Sequence, residues 1–356
     1  MSTRPRWARW VTSISMVVAL GALVYTVHDI GLSEIGRRFS QIGWLWFAVI
    51  GLEASITTLD AIAMRAFLSP EQDKVRWRDA LLAQLAGRAV NAVMPTGNIG
   101  EAVKVSVLVE HVSQSAAIAA ILLYNIVSFM TELAVLVIAV VITLVAVPLP
   151  SGLQATIAIS AGVCVLVIVA LYLAVRGGIL VGIVRTLRRV RLISQPRFDK
   201  WSVEVKSVDD KLNRVAGART RDRVIGVGAI ICSRATSLTL SCIMLIAVGA
   251  KLTVAFFAAL QVGGFVIYMV GSLVPMGIGV SEGGSDALFR ALRANGSSIN
   301  DPSVGVTSVL ARRVTLVLYA AIGLFLVTTN MTVKRARERS RAQKQQQQAA
   351  EALANQ

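Results

Sequence analysis

Apolar runs long enough to cross a lipid bilayer recur along almost the whole chain, at 10–28, 43–68, 115–147, 152–175, 224–249, 252–274 and 303–329. About 20 helical residues span a hydrocarbon core of roughly 30 Å. Inside lipid every backbone N–H and C=O must find its partner within the protein, so only helices and closed barrels can cross. These runs are far longer than the ~10 residues of a barrel strand. The sequence therefore predicts an all-α, polytopic integral membrane helical bundle. The third run has length to spare for tilting or for projecting beyond the bilayer. Composition agrees, with 55% hydrophobic and 16% charged residues in a chain of 356.

A formal net charge of +16 could suggest nucleic acid, but its distribution points elsewhere. Basic residues gather at Arg4, Arg6 and Arg9, at Lys74, Arg76 and Arg78, along 176–223, and from Lys334 to Lys344. Positive-inside logic places all four groups in the cytoplasm and predicts a multi-pass protein of the cytoplasmic (inner) membrane with both termini inside. The linker 176–223 holds 13 Lys and Arg against 5 Asp and Glu, each worth about 1 kcal/mol near anionic headgroups. The tail 331–356 is basic, then rich in glutamine and alanine, with too little apolar surface to fold alone. The first 28 residues begin basic and turn apolar like a signal peptide, but the run is long and lacks a small-residue cleavage site, so a retained span is expected.

Two proline and glycine breaks interrupt this sequence: Pro95-Thr96-Gly97-Asn98-Ile99-Gly100-Glu101 and Pro275-Met276-Gly277-Ile278-Gly279-Val280-Ser281-Glu282. They look like approximate copies. Broken helices at corresponding places in two halves of a transporter point to a binding site near the midplane. Both termini inside require an even number of crossings, and seven runs leave one to find. We assign it to the second break, completed by a half-helix over 281–294, giving about eight. The first break then makes no net crossing, entering over 79–92 and returning over 98–110 as a re-entrant hairpin. Arg290 and Arg293 fall on the outer side in this scheme, against the charge rule.

Polar residues at helical spacing flank the breaks. Gln84, Arg88 and Asn91 follow an i, i+4, i+7 pattern, and Asn98, Glu101 and Lys104 recur every three residues. The first N–H groups of the returning helix would form an anion seat, with Arg88 and Lys104 adding charge. Two readings of Glu101 stand. Asn98 and Glu101 fit a capping box, or Glu101 pairs with Arg88 or binds substrate. Glu282 carries the same ambiguity, and Gly277, Gly279, Gly283 and Gly284 permit close approach of a helix or of a ligand. Within full spans, Glu53 and Asp60 share a face, as do Asn125, Ser128 and Glu132, and Arg234, Ser237 and Ser241. Arg312 and Arg313 lie in the last span. Each such charge costs about 2.5–3.5 kcal/mol on insertion scales, so it marks either a polar pathway or a buried ion pair.

Other chemistry is scarce. Cys232 and Cys242 lie about 15 Å apart on one helix and cannot pair, and Cys164 sits in another apolar run. His28 and His111 lack metal-ligand spacing, and no phosphate-cradling Gly-Lys-Ser or Gly-Lys-Thr loop exists. No cofactor, no metal and no covalent catalysis are expected.

Arg88-x-x-Asn91-x-x-x-Pro95, then Gly100-Glu101 and Lys104, resembles the first signature of the flippase-like family typified by the membrane region of lysylphosphatidylglycerol synthase. A proline and glycines leading to Gly279-Val280-x-Glu282 resemble the second, and Arg313 followed by Gly323 is a weaker third match. The likeness covers about 10–330. It implies a helical fold that moves or binds a lipid headgroup across the cytoplasmic membrane. Aminoacylation is not expected, because the tail 331–356 has no room for the soluble transferase domain of the best-known relatives. Tyr124-Asn125 stands where relatives often carry a glutamate and arginine pair.

The expected function is translocation of an anionic phospholipid or polyprenyl-linked sugar headgroup. The candidate contacts are Arg88, Asn91, Pro95, Gly97, Asn98, Gly100, Glu101, Lys104, Arg234, Pro275, Gly277, Gly279, Glu282, Arg312 and Arg313. Two alternatives are a scaffold recruiting envelope-biosynthesis enzymes through its basic segments, and a membrane-embedded lipid-carrier enzyme with Glu101 or Glu282 as general base.

Overall fold

A computed structural model of the chain describes residues 43–93, 99–146, 151–177, 206, 210, 220–247, 252–271, 280–294, 321–323 and 325. The described residues are helical with short connections: α1 (Leu45–Ala66), a 3-10 turn (Gln72–Lys74), α2 (Trp77–Val93), α3 (Ile99–Leu108), α4 (Gln114–Ala146), α5 (Ser151–Gly177), α6 (Thr220–Ala247), α7 (Val254–Gly271) and α8 (Val280–Ala294). Each helix falls within a few residues of the expected segment. The expected spans 10–28 and most of 303–329, the tail, and nearly all of the linker lie outside the described residues.

Among the described residues, α1, α4 and α6 are long and apolar enough to cross a membrane, and Ala158–Leu173 and Val254–Val270 are shorter apolar stretches. At 1.5 Å per residue, α3 reaches only about half the ~30 Å hydrocarbon thickness. The fold is a helical membrane bundle. Apolar side chains cover its outside: Phe47 on α1, Val145 on α4 and Leu166 on α5 are all exposed, as lipid-facing residues must be.

Local chemistry sets the helix ends. Ser113 Oγ accepts the Ala116 N–H at 3.4 Å and Thr253 Oγ1 accepts the Phe256 N–H at 3.2 Å, which caps the starts of α4 and α7. α1 ends ahead of Pro70, and Arg65 in its last turn donates from Nε to the Val75 carbonyl at 3.0 Å, tying down the link to α2. Asp222, in the first turn of α6, accepts from Ser69 Oγ at 2.9 Å.

The core is built largely of small residues. Ala63, Ala80, Ala83, Ala117, Ala120 and Ala229 pack around Met64, Phe67, Leu108 and Ile230. Lipid is as apolar as a leucine side chain, so helix association in a membrane relies on close packing, which small residues permit. At Gly226 of α6 an added Cβ would collide with the Phe67 ring of α1. That contact brings α1 and α6 together behind the α2–α3 pair.

Candidate functional site

The described part of α2 runs to Val93, and α3 runs back along it. Asp79 near the start of α2 meets His111 beyond the end of α3 at 3.3 Å, whereas Asn91 near the end of α2 meets Gly100 at the start of α3. The two helices are therefore antiparallel, as a hairpin requires. Their closest approach is at two glycines. A Cβ on Gly100 would overlap the Gly87 carbonyl oxygen and the Asn91 side chain, and one on Gly87 would overlap Lys104.

Close approach brings polar groups into register. The leading N–H groups of a helix have no partner within it, and Asn91 Oδ1 accepts one of them, from Gly100, at 2.7 Å. The other end of the Asn91 amide donates to Glu101 Oε1 at 3.3 Å. Lys104 Nζ reaches the same oxygen at 3.0 Å, and Asn125 Nδ2 on α4 donates to Glu101 Oε2 at 3.0 Å. Glu101 thus receives three side-chain donors from three helices.

The Lys104 side chain is only 4% exposed. A lone ammonium there would carry a desolvation penalty of several kcal/mol, which Glu101 offsets. The Tyr124 ring lies 5.1 Å from Nζ and adds a cation–π contact, worth about 2 kcal/mol when desolvated.

The arginines of α2 and α6 are placed differently. Arg88 Nη1 donates to Thr57 Oγ1 at 2.7 Å and Nη2 to Glu53 Oε2 at 3.0 Å, both on α1. Arg234 Nη1 lies 3.2 Å from Glu132 Oε2, linking α6 to α4, and its Nε is buried without a partner among the described residues. Glu53, Glu132 and Arg234 sit inside apolar spans and Arg88 on the more polar hairpin helix α2, and all remain part-exposed, with side chains of 29% and 17% for Arg88 and Glu53 and 30% and 42% for Arg234 and Glu132.

The structure brings Asn91, Gly100, Glu101 and Lys104 into one cluster and sets Arg88 beside it, held by α1 rather than by Glu101. Arg234 stands apart on α6. Pro95, Gly97, Asn98, Pro275, Gly277, Gly279, Arg312 and Arg313 lie outside the described residues. Glu282 falls in the first turn of α8, and its side chain lies outside the description. Of the two readings of Glu101, the described bonds answer neither the pairing with Arg88 nor a bond to the backbone of its own helix. They go to Asn91, Lys104 and Asn125. Five side chains of the site were not singled out as site residues: Glu53, Thr57, Tyr124, Asn125 and Glu132. Glu132 had a signal, an acid in mid-span, and Asn125 shared its face.

Apolar spanning helices, a glycine-paired hairpin and charges paired inside the bundle define an integral membrane protein with a polar interior. The family model described as the lysylphosphatidylglycerol synthase TM region matches residues 12–323, and the chain belongs to that family. Neither a curated protein nor a solved structure matches it.

Proposed function

We propose that this protein binds an anionic phospholipid or lipid-linked sugar headgroup and carries it across the cytoplasmic membrane, without covalent catalysis or a cofactor. The observation that carries this reading is the pair of part-exposed arginines inside the bundle, Arg88 on the hairpin helix α2 against the apolar span α1 and Arg234 within the apolar span α6. A guanidinium there is costly unless it faces a polar route, and its planar fork suits phosphate oxygens. A headgroup phosphate would share Arg88 with Glu53 and Arg234 with Glu132 as it passes, while the acyl tails stay in lipid.

Lys104, Glu101 and Asn91 act differently in this scheme. They hold the first break in shape, so that Arg88 and the residues Pro95, Gly97 and Asn98 meet the headgroup. Pro275, Gly277, Gly279 and Glu282 of the second break, with Arg312 and Arg313, are the further headgroup contacts of this reading. Both termini lie in the cytoplasm, where the basic segments meet anionic lipid.

The test is transfer of fluorescent phosphatidylglycerol across vesicles containing the purified full chain, read by quenching of the outer leaflet. Arg88→Ala and Arg234→Ala should each slow transfer about tenfold, equivalent to ~1.4 kcal/mol in the barrier. Transfer that continues at the parent rate in the double variant would sink the proposal.

A further inference from the structure

Two buried carboxylates are left over among the described residues when the ion pairs are assigned: Asp222, in the first turn of α6 and held by Ser69, and Asp60, within the span of α1. Asp60 of α1 is 6% exposed and lies well inside the bundle. Ser233 Oγ of α6 donates to its Oδ1 at 2.7 Å. Among the described residues no cationic side chain forms an ion pair with it, since Arg88 is committed to Glu53, Lys104 to Glu101 and Arg234 to Glu132. The Tyr124 hydroxyl of α4 faces both Asp60 and Ser128. Ser128 is itself buried, and beyond the Tyr124 hydroxyl its Oγ meets no hydrogen-bonding group among the described residues. Gln84 shows a deficit next door: its Nε2 donates to the Asp60 carbonyl at 3.2 Å, which fixes the amide and leaves Oε1 buried and, among the described residues, unpartnered.

A carboxylate in a low-dielectric interior needs a counter-charge, and buried hydroxyl and amide oxygens need something to bind. The donor set here is all oxygen, with one formal negative charge and no nitrogen or sulfur. That is hard-ligand chemistry, suited to an alkali or alkaline-earth cation rather than to zinc or copper. A single carboxylate matches one positive charge. We propose that Asp60, Tyr124, Ser128 and Ser233 form a buried Na⁺ site at the junction of α1, α4 and α6. Bound Na⁺ ties α4 to the α1–α6 pair. Tyr124 also carries Lys104 on its ring, and its neighbour Asn125 holds Glu101, so occupancy of the site bears on the first hairpin.

The experiment follows thermal unfolding of the purified full chain in detergent while choline chloride is replaced stepwise by NaCl or by KCl at constant ionic strength. A ligand that binds only the folded state raises the Tm in a saturable way. The expected result is a rise of a few degrees with Na⁺ and a much smaller one with K⁺. Asp60→Asn should abolish the rise, and Ser128→Ala should move its midpoint to roughly tenfold higher Na⁺, a loss of ~1.4 kcal/mol in binding. If Asp60→Asn fails to fold, Ser128→Ala carries the test alone. An equal response to Na⁺, K⁺ and choline would overturn the site, as would an unchanged midpoint in Ser128→Ala.

Discussion

Two helical hairpins in this molecule, α2–α3 and α7–α8, each bring a pair of antiparallel helices together beside a proline and glycine break, yet different forces join them. The first is fastened by Asn91, Glu101, Lys104 and Asn125, with the backbone of Gly100 against that of Gly87. Between the second pair the described contacts are apolar. The rings of Phe256 and Phe289 meet edge to face at 5.9 Å and 83°, Leu288 covers Gly263, and Ile267 covers Gly284. Hydrogen bonds and ion pairs fix direction and register, whereas apolar contacts allow small slides at modest cost. The first hairpin is thus built to hold one geometry, and the second can tolerate adjustment. A transporter that rocks one part against another needs both kinds of element.

The largest expected effect is at the centre of the first hairpin. Glu101→Ala strands the Lys104 ammonium in a buried site, which costs about 3–5 kcal/mol, measured by unfolding of the purified protein. Replacing both partners, as Glu101→Gln with Lys104→Met, should recover most of that loss, because no charge is left unpaired. A double variant as unstable as the single one would show that the pair is not the source of the hairpin's rigidity. Phe289→Ala, the matching cut in the second hairpin, should cost less, about 2 kcal/mol. It removes packing only, since lipid gives little hydrophobic drive between helices. Adding salt should leave both values unchanged, as neither site is open to screening ions.

The helices themselves were legible because length and apolar content decide them, and both survive any rearrangement of neighbours. The antiparallel α2–α3 pair also followed from Pro95 and the flanking polar stripe. The partners within the site did not. Glu53 lies 35 positions before Arg88, and Ser233 lies 173 after Asp60. Such pairings depend on which helices become neighbours, which residue spacing along one helix does not encode. Tyr124 and Asn125 read as a departure from the family pattern, but in three dimensions they lie under Lys104 and against Glu101. The glycines were ambiguous for the same reason, because a close contact needs the identity of the opposing group.

That opposing group separates the two smallest effects. Gly100→Ala places a methyl against the Gly87 carbonyl oxygen, and a backbone held by the Asn91 and Glu101 bonds cannot step aside. Overpacking of this kind costs about 1–3 kcal/mol and should separate α2 from α3, read as faster proteolysis near the break. Gly284→Ala instead meets the Ile267 side chain, 2.9 Å from its Cγ1. Ile267 is partly exposed at the edge of the pair and can shift outward. The helix itself gains about 0.5–1 kcal/mol when alanine replaces glycine, so the two terms nearly cancel and the unfolding midpoint should stay within about a degree of the parent. A Gly284→Ala loss as large as that of Gly100→Ala would mean that α7 and α8 are locked as firmly as α2 and α3, and the mechanical contrast between the hairpins would fall.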